Sequence, residues 1–129
     1  MMWFYVLASI ALITVISVVI VTMRRKRLSP LRRSQLLSQW RKVATVTDPG
    51  RRVFEAEKVV DALLTELQFR GTFADKLKAA GSLLGDAEPL WKAHKVRNRL
   101  AHEAGFTVSE EESRRVVTAF ERTLMRFIR

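Results

Sequence analysis

The hydrophobic pattern divides the chain into one unbroken apolar segment and a series of amphipathic ones. Residues 1–23 carry no charged side chain and are dominated by Ile, Val, Leu and Ala. As a helix that rises about 1.5 Å per residue, this segment is long enough to cross a hydrocarbon core of about 30 Å. The pattern predicts a transmembrane anchor over residues 1–23, followed by a basic juxtamembrane linker over residues 24–29.

Charge placement predicts the orientation of the anchor. No Lys or Arg precedes it, and basic residues that follow a span resist translocation. We therefore expect a single-pass protein of the cell (inner) membrane, with its amino terminus outside and its carboxyl domain in the cytoplasm. A cleaved secretory signal is the competing interpretation, but a basic n-region and a small-residue cleavage site are not clear here. Anionic lipid heads are the expected partners of Arg24, Arg25, Lys26 and Arg27.

Residues 30–129 have apolar side chains at spacings of three and four, with Gly and Pro only between the periodic segments. This pattern predicts an all-α domain, an antiparallel bundle of four or five helices joined by short turns. Four helix starts are expected from capping signals: Ser29 before Pro30, Asp48 before Pro49, Thr72 with Asp75, and Ser109 with Glu112.

The strongest amphipathic helix is expected to follow Asp48 and to continue to Gly71. The Thr72 helix is expected to continue through Leu84 and to stop at Gly85, and a further helix to extend from Asp86 to Gly105. The residues predicted to pack in these and the flanking helices are Leu36, Leu37, Trp40, Val43, Ala44, Val53, Ala56, Val59, Val60, Leu63, Leu64, Leu67, Phe73, Leu77, Leu90, Ala93, Leu100, Ala101, Ala104, Val116, Val117, Phe120, Leu124, Phe127 and Ile128.

The net charge of +10 suggests nucleic-acid binding only until it is mapped along the chain. Residues 24–42 hold eight basic and no acidic side chains, whereas residues 43–129 hold fifteen basic and thirteen acidic ones. Most of the excess therefore lies beside the membrane, where topology and lipid contact explain it. The absence of cysteine excludes disulfides and thiolate metal sites.

Candidate chemistry concentrates between Trp91 and Glu103. Both histidines of the chain are here, and His94, Asn98 and His102 follow one another at intervals of four, so they share one face of a helix. Arg97 flanks this face. Such a face offers an imidazole, a neutral amide and a guanidinium able to grip a phosphate with two hydrogen bonds.

The segment Arg97-Asn98-Arg99-Leu100-Ala101-His102 resembles the Arg-Asn-x-x-x-His signature of HEPN domains. The resemblance implies a bundle of about four antiparallel helices over residues 30–129. It also implies a homodimer and, for many members, metal-independent endoribonuclease activity. Ala104 stands where HEPN toxins often carry a tyrosine two positions after the histidine, so the nucleotidylation target of that subgroup is absent.

The resemblance implies catalytic roles for Arg97, Asn98 and His102, with no cofactor and no metal. His102 would exchange the proton of a ribose 2′-hydroxyl, Arg97 would stabilise charge on the phosphate, and Asn98 would orient one of them. Five positions separate Arg97 from His102, about 140° around a helix, so a cleft shared by two copies is expected to bring them together. RNA is the corresponding candidate partner.

A second hypothesis is a catalytically silent module that dimerises or binds a protein partner at the membrane. In it, Arg97 and His102 are ordinary helix-surface or interface groups and His94 is structural. A metal site from His94, His102 and Glu103 is disfavoured, because histidines eight positions apart on one helix cannot share an ion without a third close ligand. A solvent-open cleft containing both Arg97 and His102 favours the enzyme, and burial with satisfied hydrogen bonds favours the module.

Overall fold

The computed structural model describes residues 1–25 and 27–129, with side chains described for residues 1–20 and 27–129. No strand occurs within these ranges, which confirms the all-α prediction. An apolar helix is followed by a bundle of five α-helices and one short 3₁₀ helix. The elements are α1 (Met2–Arg25), α2 (Pro30–Val43), α3 (Pro49–Glu66), α4 (Phe73–Ala80), the 3₁₀ helix (Gly81–Leu84), α5 (Glu88–His102) and α6 (Glu110–Ile128).

Helix α1 differs from the others in that its described side chains, up to Ile20, form no buried face. Its segment Met2–Ile20 has a mean hydropathy of 2.5, and none of it is buried against the rest of the protein. By length and composition this helix can cross a membrane. Of the basic residues predicted to follow the anchor, Lys26 and the side chains of Arg24 and Arg25 lie outside the described residues, and Arg27 is exposed.

The predicted capping signals are confirmed at all four helix starts. Each capping side chain accepts a hydrogen bond from a backbone N–H of the first turn, which satisfies a donor that has no partner within the helix. The two capping boxes are reciprocal. The bonds are Arg32 N to Ser29 Oγ (3.3 Å), Arg51 N to Asp48 Oδ2 (2.7 Å), Asp75 N to Thr72 Oγ1 (3.2 Å) and Glu112 N to Ser109 Oγ (3.1 Å).

Helix α3 is the central element and packs against α2, α4, α5 and α6. Its predicted apolar face is confirmed as the centre of the core, because every predicted residue from Val53 to Leu67 is buried. Ser113 of α6 is also fully buried and donates its hydroxyl to the carbonyl of Pro49 at 2.8 Å, which fixes the start of α3 against α6. Helix α3 therefore supplies the fixed surface against which α5 lies.

Two predicted helix ends are wrong in this part of the bundle. Helix α3 ends at Glu66 rather than near Gly71, because Gln68 has a φ of 72° and the Phe69 N–H returns to the Leu64 carbonyl at 3.0 Å. The helix begun by Thr72 ends at Ala80, and the chain reaches Leu84 as a 3₁₀ helix.

The predicted limits of the α5 segment are also wrong. Asp86 lies outside the helix and accepts the Glu88 N–H at 3.1 Å, and the helix ends at His102 because Glu103 is extended and Gly105 adopts a φ of 75°. Ala44, Ala101 and Ala104, which were expected to pack, are exposed, and Leu37, Leu100, Val117, Phe127 and Ile128 are only partly buried.

Candidate functional site

The middle of α5 carries polar side chains on the side that faces α3. Helix α5 is held between α3 and α6, and its residues Leu90 and Ala93 are buried in the core. The next turn presents His94, Arg97 and Asn98, all partly buried. The apolar first turns therefore fix the position of this polar surface.

A buried carboxylate of α3 is the centre of the polar contacts. Glu57 is only 5% exposed. Its Oε2 lies 2.9 Å from Nδ1 of His94, and its Oε1 forms an ion pair with Nε of Arg97 at 3.0 Å. One carboxylate thus joins two side chains of α5 to α3.

Asn98 closes this arrangement. Its Nδ2 lies 3.1 Å from Nε2 of His94, and its Oδ1 accepts from Nη1 of Arg97 at 3.4 Å. With Glu57 ionised, one placement of hydrogens satisfies these contacts: His94 donates Nδ1–H to the carboxylate and accepts the Asn98 amide N–H at Nε2. We refer to Glu57, His94, Arg97 and Asn98 as the Glu57 cluster.

Aromatic rings pack against two members of the cluster, His94 and Arg97. The ring centroid of Phe73 lies 5.0 Å from that of His94, and Trp91 lies edge-on to His94 at 6.2 Å. Phe54 lies beneath the guanidinium of Arg97, 5.2 Å from its Cζ to the ring centroid. The rings limit His94 and Arg97 to the orientations in which they contact the carboxylate.

Burial raises the pKa of Glu57, since the charged form loses hydration inside the bundle. The hydrogen bond from His94 and the nearby charge of Arg97 oppose this shift, but burial outweighs them. The cluster therefore holds a carboxylate whose charge has a free-energy cost. Such a group needs its partners to remain in place.

The last turn of α5 has the opposite character. His102 is exposed and makes no side-chain hydrogen bond or ion pair with any described residue. Beside it, Arg99 binds both carboxylate oxygens of Glu103, at 2.8 and 3.2 Å, and its Cζ lies 3.9 Å from the ring centroid of Phe106. These contacts are local to the helix end and exposed to solvent.

The structure thus brings together two of the three residues predicted as catalytic. Arg97 and Asn98 contact each other and share contacts with His94, but His102 lies apart from them in solvent. Of the three residues predicted to share a face, His94 and Asn98 contact each other, whereas His102 on the next turn is exposed. Within one copy there is no composite site of Arg97 and His102 among the described residues.

Sequence reasoning missed Glu57, the residue on which the cluster depends. A signal for it exists in the sequence. Glu57 lies four positions after Val53 and three before Val60, so it falls on the buried apolar face of α3. An acidic residue on such a face requires a cationic or hydrogen-bonding partner, and the polar positions of α5 supply it.

An open cleft of about 510 Å³ lies beside this site, between the start of α3 and the loop that follows α5. Apolar side chains and charged side chains of both signs line it together. The residues that matter for its chemistry are Phe54, Leu100, Phe106, Val108, Asp48, Glu55, Arg51 and Lys58.

Among the residues that the structure describes, no three His, Asp or Glu side chains lie close enough together to hold a metal ion. Compared with protein-family models, curated proteins and solved structures, the chain shows no match. The arrangement of α5 against α3 is therefore the basis for any functional conclusion.

Proposed function

We propose that this chain is a single-pass membrane protein whose HEPN-like bundle works at the cytoplasmic membrane surface as a module that pairs with a second copy of itself. The observation that favours a module over an enzyme is the Glu57 cluster. Arg97 and Asn98 have their hydrogen bonds within one copy, joined to a buried carboxylate and to His94, while His102 lies apart. Burial with satisfied bonds is the arrangement expected of a structural role.

The α3–α5 cleft supports pairing with an identical partner. Phe54, Leu100 and Phe106 leave apolar surface uncovered there, next to rim charges of both signs. In a two-fold pair the same patch meets itself, so an acidic rim residue of one copy can lie against a basic rim residue of the other. An anchor in the membrane confines copies to a plane and raises their effective concentration.

Pairing can be tested at Thr107, an exposed residue that lines the cleft in the loop after α5. Thr107→Arg places a bulky charge in the cleft without removing a buried side chain. We expect it to weaken dimerisation of the full chain in detergent micelles at least about tenfold, measured by sedimentation. Ala79→Arg, at an exposed position of α4, is the matched control and should leave the dimer intact. A wild-type chain that is monomeric at high micellar protein concentration would contradict the proposal.

The proposed orientation rests on the basic residues that follow α1. A reporter enzyme fused after Arg129 should be active only in the cytoplasm. A reporter active on the outer side of the membrane would overturn the orientation while leaving pairing open to its own test.

RNA cleavage is the second candidate function, and the exposure of His102 favours it. The Arg97 side chain is also 33% exposed, so a neighbouring copy can supply the missing member of a composite site. In such a site His102 would exchange the proton of the 2′-hydroxyl and Arg97 would stabilise the phosphate charge, with no metal required. The attacking hydroxyl belongs to RNA, so DNA of the same sequence would not be cut.

The two functions differ in a cleavage assay with full chain in micelles, RNA and a metal chelator. The module predicts no cleavage by wild type. The enzyme predicts cleavage that His102→Ala abolishes while thermal unfolding stays nearly unchanged. Lys92→Ala, which removes an exposed side chain from the opposite end of α5, is the control. If wild type cleaves RNA and His102→Ala does not, the proposed function as a silent module is wrong and the chain is a ribonuclease.

A further inference from the structure

Helix α2 has an outer face unlike any other surface of the bundle. Leu31 in its first turn is 67% exposed, and in the described chain after α1 it is the only large apolar side chain that is exposed. Leu36, Trp40 and Val43 are on the buried side of the same helix. With 100° per residue, Leu31, Ser38 and Lys42 fall on the side opposite to these three.

The charged side chains of the chain segment 24–42 are all basic. Arg27, Arg41 and Lys42 are exposed, and no acidic residue occurs anywhere between positions 24 and 42. Arg32 is turned to the flank of the helix, where it forms an ion pair with Glu66 of α3 at 3.4 Å. The outer face of α2 therefore combines one exposed leucine with cations at both ends and no neutralising carboxylate of its own.

The chain keeps this face close to the end of α1. Helix α1 ends at Arg25, and Leu28 is already buried in the core of the bundle at 7% exposure. Three residues of extended chain span at most about 11 Å. The bundle is thus held next to the point at which α1 ends, and α2 is its first element.

We propose that the outer face of α2 binds an anionic lipid surface, so that the bundle is docked on the membrane rather than suspended from it. This inference rests on the proposed anchor. Leu31 enters the boundary between headgroups and acyl chains, and Arg27, Arg41 and Lys42 contact lipid phosphates. The basic residues of the linker attract anionic lipid headgroups next to the anchor, and those of α2 attract further headgroups beneath the bundle.

Nucleic acid is the other polyanion that such a face could attract. The position of Leu31 favours lipid, because an exposed aliphatic side chain gains from insertion between acyl chains and gains nothing from a phosphate backbone. The short connection to α1 favours it further, since the lipid surface is already within reach.

The test uses the full chain, which has no natural cysteine, with a single fluorophore on Ser38→Cys in lipid nanodiscs. Quenching by water-soluble acrylamide measures how far the label is shielded. We expect strong shielding in phosphatidylcholine mixed with phosphatidylglycerol, and weak shielding in phosphatidylcholine alone. A label on Thr118→Cys, exposed on α6, should be quenched equally in both lipids.

A matched pair of charge variants assigns the effect to α2. Arg41→Gln with Lys42→Gln should lower the ratio of docked to free bundle roughly 30-fold, equivalent to about 2 kcal/mol. Arg114→Gln with Arg115→Gln removes the same charge from exposed positions of α6 and should leave shielding unchanged. Leu31→Asn should reduce shielding in both lipids, because it removes the inserted group.

Equal quenching of the Ser38 label in both lipids, in a chain that remains embedded, would overturn docking and leave the proposed anchor intact. Shielding by an added RNA oligonucleotide in neutral nanodiscs, without shielding by anionic lipid, would also overturn it. Release of the chain from vesicles by alkaline carbonate would overturn the anchor, and docking with it.

Discussion

The middle and the last turn of α5 both carry polar side chains, but those in the middle are held by contacts with α3 and those in the last turn are exposed to solvent. In its middle, His94, Arg97 and Asn98 are oriented by Glu57 of α3 and by three aromatic rings. In its last turn, His102 is exposed and Arg99 contacts only its own neighbourhood. The difference arises because α3 lies against the middle of α5, whereas the chain turns away at Glu103. The segment from Arg97 to His102 crosses this boundary. Its fixed part is Arg97 and Asn98, which the cluster holds in place, and its free part is His102.

The largest expected effect follows removal of the carboxylate shared by the fixed part. Glu57→Ala removes the hydrogen-bond partner of His94 and the ion-pair partner of Arg97, which should lower the free energy of unfolding by about 2–4 kcal/mol. Chemical denaturation followed by tryptophan fluorescence, on full chain in micelles, measures it. Glu121→Ala on α6 removes an exposed carboxylate that lies outside the cleft and should change stability by less than about 0.5 kcal/mol. Equal losses in the two variants would mean that the cluster has no special role.

The pH dependence of stability gives a sharper test of the same carboxylate. Because burial raises the pKa of Glu57 above its ordinary value of 4.5, the folded chain holds this proton more tightly than the unfolded chain. Stability from this group is fully present below pH 4.5 and is lost as the pH rises through the folded pKa. We expect the free energy of unfolding of wild type to fall with rising pH relative to Glu57→Gln. A difference that is constant with pH would show that Glu57 titrates normally.

A smaller loss of stability is expected from substitution of Asn98, the neutral member of the Glu57 cluster. Asn98→Ala removes one partner each from His94 and Arg97 but leaves their contacts with Glu57, so it should cost about 1–2 kcal/mol. Lys95→Ala, an exposed position three residues earlier, serves as the reference and should lie within about 0.5 kcal/mol of wild type. Thermal unfolding of both variants in micelles gives the comparison. An Asn98→Ala variant as stable as Lys95→Ala would show that the contacts of Asn98 do not stabilise the fold.

The smallest effect on stability is expected at the free end of α5. His102→Ala removes an exposed imidazole that has no described partner, so the free energy of unfolding should change by less than about 0.5 kcal/mol. A loss above about 1 kcal/mol would contradict the division of α5 and would indicate that His102 is packed, for example against a second copy. Repeating the measurement over a range of protein concentrations distinguishes these cases, since pairing makes stability concentration-dependent.

Local chemistry made much of the bundle predictable. Asp48 and Ser109 can satisfy backbone donors only at a helix start, so their sequence neighbourhoods were sufficient. The end of α3 was not predictable in this way, because Gly71 is the obvious C-terminal signal, yet Gln68 takes the left-handed conformation three residues earlier. A non-glycine residue gives no local signal for a positive φ, so the turn at Gln68 could not be read from the sequence.

By itself, the sequence determined the apolar first helix, the all-α bundle, the capped helix starts and the concentration of charge directly after the apolar segment. These depend on side-chain periodicity and on hydrogen bonds between residues close in the chain. Only the tertiary structure decided which polar residues of α5 act together. Glu57 is 37 residues from His94, and their contact at 2.9 Å exists because α3 and α5 pack side by side. The same packing ends before His102, so a motif continuous in sequence is discontinuous in space.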